Sequence, residues 1–193
     1  MPGPDIIYVM MQSVTNGKKH GIATALGLVS GIIVHTTLIA LGIAAVIQKS
    51  DNLFFIIKVF GACYLFYLAF KIYKSSAKIS LQENETKTKT YVQLVKQGFI
   101  MNVLNPKVAI FFLAFFPGFI NISRGHITQQ IYILGFLFIV QAFLIFSMVS
   151  ITAASLTAFL RGNQKFEKYL KIVQIVVFIA IGIFILFSKK DGA

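Results

Sequence analysis

The run Gly98–Ile120 (GFIMNVLNPKVAIFFLAFFPGFI) constrains this chain more than any other stretch. It is long enough to cross a bilayer, whose hydrocarbon core takes about 20 residues of helix. Yet it carries two features that a lipid-crossing helix resists. Pro106 has no N–H for the carbonyl of Asn102, and its ring pushes that carbonyl aside. Lys107 puts a charge near mid-membrane, at a cost of at least about 2.5–3.5 kcal/mol on insertion scales. Asn102 stands one turn before Asn105. Helix breaks and intramembrane charges are tolerated where they face protein or a wet cavity. Asn102, Asn105 and Lys107 are therefore candidate substrate-binding residues, with Pro106 as the helix break.

The pattern has an echo. Pro2-Gly3-Pro4-Asp5 opens the chain, again ahead of apolar sequence, and Pro4-Asp5 repeats Pro106-Lys107 with the charge inverted. Further apolar segments run over Ile6–Val14, Ile22–Ile47, Leu53–Tyr73, Ile131–Leu156 and Tyr169–Phe187. With 57% hydrophobic residues and a mean hydropathy of +0.81, the chain reads as an all-α, multi-pass membrane protein. The net charge of +12 does not call for nucleic acid, because the basic residues cluster between apolar runs. Tyr73, Tyr91, Tyr132 and Tyr169 lie near segment ends and supply the aromatic belt of a chain without Trp.

Lys18 and Lys19, then Lys74, Lys78, Lys87, Lys89 and Lys96, then Arg161, Lys165 and Lys168 fall in alternate connections. The opposite side carries Lys49, Arg124 and the tail pair Lys189-Lys190. The positive-inside rule then predicts the richer connections in the cytoplasm and both termini outside, with the basic tail pair the one contrary feature. The connection after Tyr73 (KSSAKISLQENETKTKT) is a solvated linker dividing the chain into residues 1–73, a linker and approach over 74–97, and residues 98–193. Each flanking part crosses three times, so the two insert with opposite orientation. The fold expected is a six-helix bundle of two inverted three-helix repeats, each opening on a proline-broken segment with one charge. The repeat predicts a truncated first helix: about eight embedded residues precede Pro106, but three precede Pro4. An apolar run of about ten residues encoded in frame upstream of Met1 is the expected complement.

Asp5 and Lys107 are expected to line a cavity, where they pair with each other, hold the ends of a zwitterion, or exchange a proton. The competing reading is a static buried ion pair that pins the two halves together. His35, midway along the second segment, is a candidate substrate or proton ligand, or else a neutral imidazole satisfied by a neighbouring helix. Gly27-x3-Gly31, extended a turn by Ala23, reads as a close-packing face. Lys58 is expected to snorkel to the interface, with pore lining as the alternative. The fifth segment is polar at Gln141, Ser147, Ser150, Thr152, Ser155 and Thr157, and Gln141 is its candidate path-lining residue. Pro117-Gly118 is expected simply to end the fourth segment. Signatures of a metalloprotease, a serine hydrolase or a phosphate-binding loop are missing, so no enzyme is read here. One Cys and three His make a metal site unexpected, and no cofactor is implied.

The chain resembles the LysE/RhtB family of amino-acid exporters at Pro2-Gly3-Pro4-Asp5, at Gly31-x3-His35 in a glycine-spaced second segment, and at Gly61-x-x-Tyr64-Leu65-x-Tyr67-Leu68. Asn105-Pro106-Lys107, followed by an aromatic run to Pro117, completes the likeness over nearly the whole chain. Members carry an apolar half-helix before the Pro-Gly-Pro, which this sequence lacks. The resemblance implies export of amino acids or related small metabolites across the inner membrane, against proton inflow. It places the polar motif residues at Asp5, Asn105 and Lys107. With Asp5 the only acid inside an apolar segment, a neutral amino acid is the expected substrate. Metal-ion or other small-solute efflux on the same scaffold, or a non-transporting assembly subunit, is the alternative. The glycine face also allows a homo-oligomer.

Overall fold

The computed structural model describes residues 4–49, 51–74, 89–162 and 164–187. Pro2, Gly3, residues 75–88 of the linker and the tail pair Lys189-Lys190 lie outside the described residues, as do the side chains of Lys49, Thr157, Arg161 and Lys165. The described chain is helical, without a strand. Its helices are α1 (Pro4–Asn16), α2 (Lys18–Lys49), α3 (Asp51–Lys74), α4 (Tyr91–Val103), α5 (Pro106–Phe115), α6 (Ile127–Gly162) and α7 (Gln164–Phe187), with a 3-10 turn at Phe116–Phe119. Among the described residues, three helical stretches are long and apolar enough to cross a membrane, and α4 with α5 makes a fourth if the broken pair counts as one span. This is an all-α membrane protein.

The six apolar segments reappear as helices, and the fourth is broken where Pro106 stands. α4 closes at Leu104, whose N–H bonds the carbonyl of Ile100 at 3.0 Å. Asn105 is extended (φ −82, ψ 102), and Pro106 is the first residue of the next helix. That is the position where a missing N–H costs nothing, and the ring's φ suits the helix. α1 is described from Pro4 onward, with Asp5 in its first described turn.

α4 starts at Tyr91, well ahead of the apolar run. Thr90 and Gln93 form a capping box: the Gln93 N–H donates to the Thr90 hydroxyl oxygen, and the Thr90 N–H donates to Gln93 Oε1. Pro117 and Gly118 fall in the 3-10 turn that ends the aromatic run, as expected. Beyond it, Gln130 ties the connection. Its Nε2 donates to the carbonyls of Asn121 and Gly125, and its Oε1 accepts from the Asn121 N–H. Tyr73, Tyr91, Tyr132 and Tyr169 are all exposed, as belt residues should be.

The helices sort into two compact units. The first holds residues 1–32, 76–104 and 138–171; the second holds 33–75, 105–137 and 172–193. In the first, Val9, Ala25 and Leu28 form a core with Met101, Phe143, Phe146 and Val149. There α2 meets α4 on glycines. A Cβ at Gly27 would lie 2.1 Å from the carbonyl oxygen of Val95, and one at Gly98 would lie 2.6 Å from that of Thr24. The Gly27-x3-Gly31 face is a packing face, and α4 is its partner.

In the second unit, Leu65, Leu68, Ala114 and Ile185 pack with Tyr64, Phe111, Phe178 and Ile181. α5 is only ten residues long, too short to be stable alone. It is held by Gly61 of α3, where a Cβ would come within 2.6 Å of Ala114 Cα. Aromatic rings four residues apart reinforce it: Phe111 with Phe115 at 5.2 Å, Phe112 with Phe116 at 4.9 Å and Phe115 with Phe119 at 4.4 Å.

Candidate functional site

The second unit contains the start of α5, where three features converge. Asn105 is the N-cap, and its Oδ1 accepts the Lys107 N–H at 3.1 Å. The Asn105 carbonyl accepts the N–H groups of Val108 at 3.1 Å and Ala109 at 3.3 Å. Pro106 has no N–H, so the amides of this first turn are already engaged by Asn105. Beside them stands the exposed Lys107 side chain, which carries the positive charge of this turn. It stands in the first turn, where the helix dipole opposes a cation by about 0.3–1 kcal/mol. Side chain and helix end thus add to one electropositive spot, suited to a carboxylate.

Asn105 is expected to act mainly by holding this geometry. Asn105→Ala should destabilise the protein by about 1 kcal/mol, whereas Asn105→Ser keeps a capping oxygen and most of the stability. Thermal unfolding of the two purified variants checks the difference.

His35 is 3% exposed and stacks on Phe112, with ring centroids 6.3 Å apart and planes at 21°. It lies inside the second unit, with its imidazole face against an α5 aromatic. Lys58 departs from the snorkelling expectation. It is 7% exposed on α3, one turn from Gly61, on the face that α5 covers. The residue is enclosed where the small pair Gly61 and Ala114 lets α3 and α5 approach closely. The i, i+3, i+7 spacing of Lys58, Gly61 and Leu65 carried this signal in the sequence.

The first unit contains Asp5 and Asn102. Asp5 is half-buried in the first turn of α1, where a carboxylate suits the helix dipole. Asn102 is buried in the last turn of α4, against α2. A Cβ at Gly31 would lie 2.7 Å from Asn102 Oδ1, so Gly31 is what makes room for that amide. Gln141 is exposed on α6, among the exposed Val140, Leu144 and Ile145. Ser147 Oγ is buried without a hydrogen bond. Ser150 is buried and structural: its hydroxyl donates to the Lys18 carbonyl at 2.8 Å and lies 2.9 Å from Ser13 Oγ.

Residues of α1 beyond Asp5 were not anticipated. Tyr8, Gln12 and Asn16 follow Asp5 at helical spacing, and Gln12 is 2% exposed. Asn16 Nδ2 donates to Gln12 Oε1 at 3.0 Å. Their helical spacing is the signal in the sequence, masked by the shortness of the segment and its apolar neighbours. No group of three or more His, Cys, Asp or Glu side chains stands ready to hold a metal among the described residues.

The family model for LysE type translocators matches residues 1–189. The chain is similar to the uncharacterized membrane protein YrhP of Bacillus subtilis, 31% identical over 191 residues, covering 95% of this chain and 90% of that protein. It is also similar to proteins named leucine efflux protein in Salmonella typhimurium and Salmonella typhi. Each is 29% identical over 171 residues, covering 87% of this chain and 79% of the relative. No solved structure matches.

Proposed function

The chain belongs to the LysE type translocator family, and from that premise we propose that it exports neutral amino acids across the bacterial inner membrane in exchange for protons. The observation that carries this reading is the helix start at Pro106, with Lys107 added to the positive end of α5. Lys107 receives the substrate carboxylate. Asp5 takes the amino group or the coupling proton, and Asn102 adds a buried amide. His35 serves as a substrate or proton ligand. A single intramembrane acid suits a neutral amino acid better than a basic one, and the relatives named leucine efflux protein support an apolar side chain. The ends bearing Lys18, Lys19 and Lys89 face the cytoplasm, with both termini outside. Residues 1–73 and 98–193 act as inverted repeats whose alternation opens the path to each side in turn.

The test is efflux of a panel of amino acids from loaded cells, with and without a proton gradient. Faster loss of leucine and similar neutral amino acids, slowed when the gradient is collapsed, is the expected result. Efflux indifferent to expression of the chain would reject the reading.

A further inference from the structure

Asp5, Tyr8, Gln12 and Asn16 are spaced three, four and four residues apart and so share one face of α1. Together they climb about 16 Å, roughly half of a hydrocarbon core. A stripe of this kind is costly in a membrane helix unless it is used. At its lower end the Asn16 amide already bonds Gln12, and Gln12 is almost wholly buried. At the next rung Tyr8 Oη is buried and close enough to Gln12 to interact with it, without a well-formed hydrogen bond. A buried hydroxyl held this loosely has capacity for a further polar partner.

We propose that this face is a second substrate site: a polar track on which the ammonium and carboxylate of an amino acid are handed from Asn16, past Gln12 and Tyr8, to Asp5. Its chemistry fits that cargo. The amides and the phenol each donate and accept, so they serve both ends of a zwitterion, whereas the single carboxylate at the top favours the ammonium. The track deepens the export reading and rests on it, including the orientation that puts Asn16 at the cytoplasmic end. It predicts an asymmetry, because it lines the path on one side of Asp5 only.

Tyr8→Phe keeps the ring and removes the hydroxyl, and Gln12→Met keeps the length and removes the amide. Each is expected to raise the KM for leucine offered at the cytoplasmic face by about threefold to tenfold, the worth of one buried hydrogen bond. The KM at the opposite face should be unchanged. Val14→Ala, on the exposed side of the same helix, should leave both values unchanged. The measurement is leucine flux in proteoliposomes of fixed orientation, with substrate varied on one side at a time. Unchanged KM at both faces, or an equal rise at both, overturns the track while leaving export standing. Absence of leucine flux in the unsubstituted protein overturns both.

Discussion

Cells producing Lys107→Gln are expected to lose amino-acid export while inserting as much protein as the parent. A hydrogen bond to a charged group is worth about 1.5–3 kcal/mol, so losing the ammonium should slow export roughly tenfold to 150-fold. Insertion should be unharmed, because removing a charge from an apolar span relieves a cost of about 2.5–3.5 kcal/mol. Lys107→Arg should retain part of the activity. The sharper comparison is Lys107→Glu. An acid in the first turn of α5 agrees with the helix dipole and should stabilise that helix by about 0.3–1 kcal/mol. It also reverses the sign of the carboxylate-binding group. Purified Lys107→Glu should therefore unfold at the same or a higher temperature than the parent and export nothing measurable. Full export by either neutral or acidic variant would remove Lys107 from the site.

The break that Lys107 sits beside was legible because proline acts locally. A residue without an N–H must end one helix or begin another, whatever surrounds it. The glycine face of α2 was legible for a similar reason, since Gly27 and Gly31 leave a smooth strip that another helix can fill. What filled it was not legible. That α4 supplies the Val95 carbonyl and the Asn102 amide is a long-range fact, set by which helices meet. The start of α4 was missed because apolar runs mark the span of the lipid, whereas a helix extends to its cap. Thr90-x-x-Gln93 was the cap signal. Lys58 was misjudged through its distance from the end of its segment. The face of α3 on which Lys58 stands, not its depth in the segment, sets its exposure. The state of the first-turn amides after Pro106 is set by a still more local feature. Asn105, one residue earlier, uses its side chain and its carbonyl to engage them.

The glycine crossing supports the second large effect. Gly27→Val is expected to deplete folded protein from the membrane. Even the first carbon of the new side chain would stand 2.1 Å from Val95 O and 2.8 Å from Val95 C, atoms of a helix backbone that cannot swing aside. α2 and α4 would have to separate, and the approaches at Gly31 and Gly98 would open with them. Overpacking of a filled core costs about 1–3 kcal/mol for added methylenes, and a branched side chain against backbone belongs at or above the top of that range. Gly31→Ala should be milder, because its one methyl meets side-chain atoms alone: Asn102 Oδ1 at 2.7 Å can rotate aside, and Asn102 Cβ at 2.8 Å is cleared by a small shift of α4. That rotation would move an amide assigned to the substrate, so Gly31→Ala should retain folded protein but impair export. Gly42→Ala is the control on the same helix. Nothing lies within 4 Å of a Cβ there, and replacing glycine within a helix should stabilise it by about 0.5–1 kcal/mol. Detergent-extracted protein, followed by size-exclusion profile and thermal unfolding, separates the three. Gly27→Val should run as aggregate or be absent, with Gly31→Ala monodisperse and Gly42→Ala at least as stable as the parent. A monodisperse Gly27→Val at parental stability would mean that α2 and α4 do not touch at these glycines. The placement of Asn102, and its part in the substrate site, would fall with that contact.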